Sequence, residues 1–270
     1  MKLITTGILL AAAFLIGGCS TSPDFELPAD TGGQLDSHSL ASGKSFEYNH
    51  LVYLPSGALA GVGKYPLLVY LHGDGASDDQ PLSVVYYQGP QTLIPQHKWH
   101  PRIPMVLVAP QNHGPQGSSW NSTKLQGFLK WVIQTYPVDP NRVYLTGVSQ
   151  GGFGTYSYLT TLRDSSLVAA AVPVMGGGST SLAKYITIPL WAFHGDSDKT
   201  VNPTSDAKMV AAIQAAKTSL DAKITMFPGL GHETNAWLWV YDRPDTVKVD
   251  SAYSPFEMDI YTWMLQYTKL

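Results

Sequence analysis

Ser149 stands in Gly147-Val148-Ser149-Gln150-Gly151, a G-x-S-x-G motif. A serine hydroxyl attacks a carbonyl carbon effectively only when a neighbouring base takes its proton, so the motif carries chemistry only with partners. Two later segments supply candidates. Gly229-Leu230-Gly231-His232 presents a histidine in a glycine-rich loop, and His232 is the sole histidine after Gly195. The segment Phe193-His194-Gly195-Asp196-Ser197-Asp198-Lys199-Thr200-Val201 presents two carboxylates, Asp196 and Asp198. An acid at either position can lock the tautomer of a catalytic histidine. Together, serine, base and acid would carry out two-step acyl transfer, with no metal and no organic cofactor required.

These residues need a frame, and the apolar runs predict one. Tyr48 to Leu54, Leu67 to Leu71, Met105 to Ala109, Arg142 to Leu145, Leu167 to Val174, Leu190 to Phe193 and Ile224 to Phe227 are short runs rich in β-branched and aromatic residues. Such runs suit strands buried on both faces. Helical stretches alternate with them: Lys124 to Tyr136, Gly152 to Leu162, Pro203 to Lys217 with Asn202 as N-cap, and Pro255 to Tyr267 with Ser254 as N-cap. Strand–helix alternation predicts an α/β domain: a mostly parallel sheet with helices on both faces. The Ser149 motif then falls between a strand and a helix, where a nucleophile elbow forms. There the Gln150 N–H sits at a helix N-terminus, aimed at a developing oxyanion.

Composition narrows the function classes. Hydrophobic residues make up 44% and charged residues 14%, which argues against a disordered chain. With 17 Lys+Arg against 20 Asp+Glu and no basic run, a nucleic-acid role is not expected. The single cysteine excludes an intrachain disulfide and a multi-cysteine zinc site. His97, His100 and His113 lie in loop-like sequence without an evident carboxylate partner, so no metal site is expected there.

The N-terminus reads as an export signal. Lys2 is followed by an apolar stretch from about Gly7 to Ile16, too short for a comfortable membrane span. The one cysteine, Cys19, follows Ile16-Gly17-Gly18 directly. This resembles the lipobox of bacterial lipoproteins, which implies lipidation of Cys19, cleavage before it and anchoring on the periplasmic or cell-surface face of a membrane. Residues 1–18 are therefore expected to be a signal peptide, 19–35 a flexible tether and 36–270 one catalytic domain.

The run PLLVYLHGDGASDD, then VLVAPQ, DPNRVYLTGVSQGGFGTY, FHGDSDKTV, the later GH and YTWMLQ resembles the α/β-hydrolase esterases from about Glu47 to Leu270. It looks most like the predicted-peptidase and dienelactone-hydrolase-like branch, neighbours of feruloyl esterases and polyhydroxybutyrate depolymerases. The resemblance implies the chain order serine, acid, histidine, with Ser149 as nucleophile and His232 as base. It implies Asp198 as the acid, through the pattern H-G-x-x-D-x-x-V; Asp196 then shapes the turn. It also implies a second oxyanion N–H in the loop His72-Gly73-Asp74-Gly75, from Asp74 first and Gly75 second, with the Asp74 carboxylate turned away. Relatives often carry Met or Ala where Gln150 stands, a departure that leaves the backbone donor unaffected. Their tryptophan shortly after the histidine appears here as Trp237, slightly displaced.

Substrate is less legible. Only a short segment, Met175 to Thr187, separates two strand candidates where many relatives insert a lid, so an open cleft is expected. Tyr86, Tyr87, Trp120, Trp237, Trp239 and Tyr241 follow strand ends, where loops form the binding crevice. Trp120 and Trp237 are the candidates for substrate contact. Three readings compete: a carboxylesterase acting on polymeric or carbohydrate-linked esters such as feruloyl or acetyl esters, a serine peptidase of the prolyl-oligopeptidase type, and a non-catalytic binding lipoprotein.

Overall fold

Eight strands form one sheet among the residues described by the computed structural model, 27–40, 48–244 and 247–269. They are β1 (Gln34–His38), β2 (His50–Leu54), β3 (Tyr65–Leu71), β4 (Val106–Pro110), β5 (Val138–Val148), β6 (Ala170–Val174), β7 (Leu190–Gly195) and β8 (Ala222–Phe227). The spatial order is β1-β2-β4-β3-β5-β6-β7-β8. β1 pairs antiparallel with β2, and β2 with β4; from β4 to the β8 edge every pairing is parallel. Among the described residues six α-helices accompany them: α1 (Ser56–Leu59), α2 (Ser122–Thr135), α3 (Gln150–Leu162), α4 (Thr204–Ala216), α5 (Thr234–Asp242) and α6 (Ile260–Met264). The expected α/β architecture is present.

The central strands read as continuous apolar runs because both faces are covered. Leu67, Val69 and Leu71 of β3 pack into one core with Leu125, Phe128 and Leu129 of α2. Leu68 and Tyr70 point the other way, into a second core with Tyr241, Phe256 and Trp263. Successive side chains of a strand alternate between faces, so one apolar run serves two layers.

Strand order also places the crevice. β3 lies between β4 and β5, so the chain leaves β3 toward one side of the sheet and returns to β5 on the other. Loops leaving neighbouring parallel strands in opposite directions open a cleft at the carboxyl ends. The β3 and β5 loops carry Asp74 and Ser149.

Three expectations need correction. The expected signal peptide 1–18, Cys19 and the tether as far as residue 26 lie outside the described residues. From Leu27 onward, however, the expected tether is bound to the domain rather than free. Asp30 accepts the Tyr53 hydroxyl and the Ser56 N–H, Leu27 packs against the core, and Gln34 pairs with Leu54 at the start of β1. The polar composition of this stretch concealed it, because an edge strand needs only backbone pairing.

The C-terminal helix is also shorter than expected. Ser254 does not cap it: the Ser254 N–H donates to the Ile224 carbonyl at 2.9 Å, and its carbonyl accepts the Thr225 hydroxyl. Residues near Ser254 thus extend contacts along β8. The helix starts only at α6, where Asp259 caps it by accepting the Thr262 N–H at 2.8 Å. Finally, α5 forms directly after His232, where no helix was anticipated.

Candidate active site

Ser149 occupies a sharp turn between β5 and α3 with φ 54° and ψ −117°. Positive φ in a non-glycine residue stores backbone strain, and the surroundings must hold it. Here the Ser149 N–H donates to the Val174 carbonyl of β6 at 2.9 Å, and its carbonyl accepts the Phe153 N–H at 3.0 Å. Flanking glycines make the turn sterically possible. A Cβ on Gly147 would stand 2.5 Å from the Gly151 carbonyl oxygen, and one on Gly151 would overlap the Leu71 carbonyl.

His232 follows β8 in a loop and reaches back across the cleft. Its Nε2 lies 2.8 Å from Ser149 Oγ and its Nδ1 lies 2.6 Å from Asp198 Oδ2. Nδ1 faces a carboxylate, so it carries the proton and donates. Nε2 is then free to accept the Ser149 O–H, the arrangement a general base requires. The His232 side chain is one-fifth exposed, whereas that of Asp198 is fully buried.

Asp198 is committed to its charged form. Burial works against the carboxylate, but the His232 hydrogen bond and the N–H groups of Val201 and Thr200 outweigh it and hold its pKa below the usual value. Those amides donate to Oδ1 at 2.9 and 2.8 Å, leaving Oδ2 for His232. Asp196 is turned elsewhere: its Oδ1 accepts the Gly229 N–H at 2.7 Å and the Ser197 hydroxyl at 2.8 Å.

The loop after β3 lies against the elbow. An added Cβ on Gly73 would stand 3.4 Å from Ser149 Cβ, in ordinary contact. The Gly73 N–H is taken by Gln88 Oε1 at 3.1 Å. The Asp74 carboxylate turns away and accepts the Gly117 N–H at 2.7 Å. Among the described residues the N–H groups of Asp74 and Gln150 meet no protein acceptor, so both can serve an incoming oxyanion. His72 is fully buried; its Nε2 accepts the Asn112 N–H at 2.8 Å and its Nδ1 lies 2.6 Å from the Gly73 carbonyl oxygen. Burial pushes its pKa down to about 4, so it stays neutral and orders the loop.

Asp78 provides a second strap between the same loops, accepting from His113 and from the Gly114 N–H at 2.8 Å. His113 therefore does have a carboxylate partner, contrary to expectation. The two lie 35 residues apart, a separation that local sequence does not reveal. Gln88 and Asp78 were both missed by sequence reasoning: Gln88 sits in no recognisable motif, and Asp78, at the end of the run PLLVYLHGDGASDD, meets partners that the local pattern does not show.

The aromatic candidates divide. Trp120 is buried, donates Nε1–H to the His72 carbonyl at 3.3 Å and packs beside Gly154. One part of it lines a cavity of about 270 Å³ with Gln150, Phe153 and Leu182. Trp237 lies in α5, but its side chain is outside the described part of the structure. Tyr241 is a core residue whose hydroxyl lies 2.9 Å from Thr146 Oγ1. Between β6 and β7 stands only a 3₁₀ turn at Thr180–Tyr185, so no lid crosses the cleft from that segment.

No family model matches the chain. Over 161 residues it is 29% identical to a bifunctional acetylxylan esterase/xylanase of Neocallimastix patriciarum, a stretch covering 56% of this chain and 21% of that protein. The chain thus spans about a fifth of the length of that curated relative. A thermostable esterase superposes with a TM-score of 0.60 at 23% identity, over 89% of this chain and 64% of its own. A feruloyl esterase module from Clostridium thermocellum, complexed with sinapinate, gives 0.59 at 16% identity over 80% and 88%. In strand order, elbow and structural likeness alike, the chain has the α/β-hydrolase fold.

Proposed function

We propose that this chain is a serine carboxylesterase that hydrolyses carboxylic esters through an acyl-enzyme on Ser149. The observation that carries the reading is the unbroken hydrogen-bonded series Asp198–His232–Ser149, with links of 2.6 and 2.8 Å, in the segments that follow the carboxyl ends of β7, β8 and β5. His232 Nε2 takes the hydroxyl proton as Ser149 Oγ attacks the ester carbonyl. The Gln150 and Asp74 N–H groups stabilise the tetrahedral oxyanion. His232 then gives the proton to the leaving alcohol, and water repeats the sequence to free the acid and restore the serine. The unpaired N–H groups of Asp74 and Gln150 and the strained elbow support these roles.

For substrate class, we take the esters to be carbohydrate-linked or otherwise polymeric, with acetyl or feruloyl groups as the leading candidates. The relatives named for acetylxylan and feruloyl esters support this, as does the absence of a lid between β6 and β7. Anchoring to a bacterial membrane, on its periplasmic or cell-surface face, is part of the proposal, supported by the position of Cys19 after Ile16-Gly17-Gly18.

A fluorophosphonate probe should label the protein, and Ser149→Ala should abolish both labelling and ester turnover. Loss of a triad member typically costs on the order of 10⁴-fold or more. Labelling retained in the Ser149 variant would sink the nucleophile assignment. Turnover of methyl ferulate, acetylated xylan, p-nitrophenyl esters and prolyl amides separates esterase from peptidase. A marked preference for the amides would reverse the reading. Metabolic labelling with a clickable palmitate analogue, lost in Cys19→Ala, tests the anchor; an unlabelled wild type would reject it.

A further inference from the structure

His194 lies on β7, fully buried, and has no part in the acyl-transfer steps above. Its Nδ1 lies 2.7 Å from Asp206 Oδ2 on α4. Its Nε2 lies 3.2 Å from the Val201 carbonyl oxygen and 3.3 Å from Asp198 Oδ2, the same oxygen that receives His232. Two carboxylates and a carbonyl therefore surround the ring, and all three are acceptors when the acids are ionised. A neutral imidazole has one N–H and one lone pair. Either tautomer would set that lone pair against an acceptor. An imidazolium donates at both nitrogens and satisfies every contact.

We propose that His194 is a protonated positioning residue: clamped by Asp206, it braces Asp198 and limits how strongly the buried acids draw a proton onto His232. This rests on the triad reading given above. The series then runs Asp206 (negative), His194 (positive), Asp198 (negative), His232, Ser149. With the cation in place, His232 faces one net buried negative charge rather than two. Burial disfavours charge on His194, but the Asp206 hydrogen bond and charge, the Val201 carbonyl and Asp198 outweigh it and hold its pKa above the ordinary value. Asp206 is itself tied down, with Oδ2 also accepting the Gly176 N–H at 2.9 Å.

The neighbours that bear on this are few. Asp206 faces His194 from α4, Asp198 and the Val201 carbonyl from the loop before α4, and Met226 across the ladder on β8. Tyr156 of α3 stands beside Asp206. Around His232 are Asp198, Ser149 and, in an open cleft, the exposed residues Lys199 and Glu233.

Without the cation, the two buried carboxylates behind the His232 ring stand uncompensated, so Ser149 labelling should be lost at higher pH than in the wild type. The rate of Ser149 labelling by a fluorophosphonate, followed against pH in the full chain, reads this directly. In His194→Gln the midpoint of the acid limb should rise by about one pH unit. A merely structural role would lower the rate without moving the midpoint. An unmoved midpoint in the variant, with a normal profile in the wild type, overturns the proposal while leaving the triad reading intact. Absence of Ser149 labelling in the wild type overturns both.

A second measurement needs no variant that must fold. In wild-type chain carrying ¹⁵N-labelled histidine, His194 should show both ring nitrogens protonated at about pH 8, well above the range of an ordinary histidine. A single protonated nitrogen at His194 at that pH overturns the proposal.

Discussion

The Asp196 carboxylate accepts the Gly229 N–H at 2.7 Å, tying the loop that leads to His232 to the loop that carries Asp198. Asp198 and His232 arrive from different strand ends, β7 and β8, and this bond holds their loops in register. Asp198 makes the direct contact with His232 at 2.6 Å. The two acids are two residues apart and have separate tasks.

Their variants should separate accordingly. Asp198→Asn should lower kcat on the order of 10⁴-fold, because an amide favours the wrong histidine tautomer. Asp196→Ala should cost on the order of 10-fold to 10²-fold, through small misplacement of His232. Steady-state hydrolysis of p-nitrophenyl acetate by the two purified variants measures both. A larger loss in the Asp196 variant, with both proteins folded, would reverse the assignment.

Gly151→Ala tests the packing of the elbow. Its new Cβ would overlap the Leu71 carbonyl, which belongs to β3 and cannot swing aside as a flexible side chain would. Overpacking of this kind costs roughly 1–3 kcal/mol, and more where backbone must move. Urea denaturation should show that loss, and fluorophosphonate labelling should fall with it. A variant as stable and as reactive as wild type would contradict the tight approach of α3 to β3.

Stability should decline on the acid side of neutrality because of two buried histidines. Burial pushes His50 and His72 from 6.5 down to about 4. The unfolded chain takes up these protons near 6.5 and the folded chain only near 4. Stability from both groups is therefore full above 6.5 and is lost as pH falls toward 4. Each contributes on the order of 3 kcal/mol across that window. Urea midpoints measured through the window should fall with pH, and His50→Gln should flatten the slope by about one proton. A slope that stays the same in the variant would remove His50 as the cause.

Truncation tests what Asp30 contributes to the sheet. A chain beginning at Leu27 keeps Asp30 and the whole of β1. One beginning at Leu35 loses Asp30, which accepts from the Tyr53 hydroxyl and the Ser56 and Gly32 N–H groups at the head of the sheet. Hydrogen bonds to a charged group are worth roughly 1.5–3 kcal/mol, and the shorter chain should be weaker by about that amount. Equal thermal midpoints for the two chains would show that residues 27–34 contribute nothing.

The sequence by itself determined the core strands, the elbow turn and which histidine is proposed as base. Strands buried on both faces demand continuous apolar runs, and the Ser149 turn demands glycines at Gly147 and Gly151; both are requirements of the local chain. His232 followed from there being no other histidine after Gly195. Tertiary structure decided what depends on distant partners. Asp198 rather than Asp196 meets His232 across 34 positions, and Asp74 turns onto Gly117 across 43. Asp30 docks a polar leader that composition presents as free, and Trp120 is buried and bonded to the His72 carbonyl, although its place after a strand end suggested only substrate contact. His194 reads locally as a strand-end histidine, and only the packing of α4 on β7 brings Asp206 to it. Periodicity and turn chemistry act over a few residues and can be read from the chain. Which acceptor a side chain meets is set by strand order and loop packing, which the local pattern does not encode.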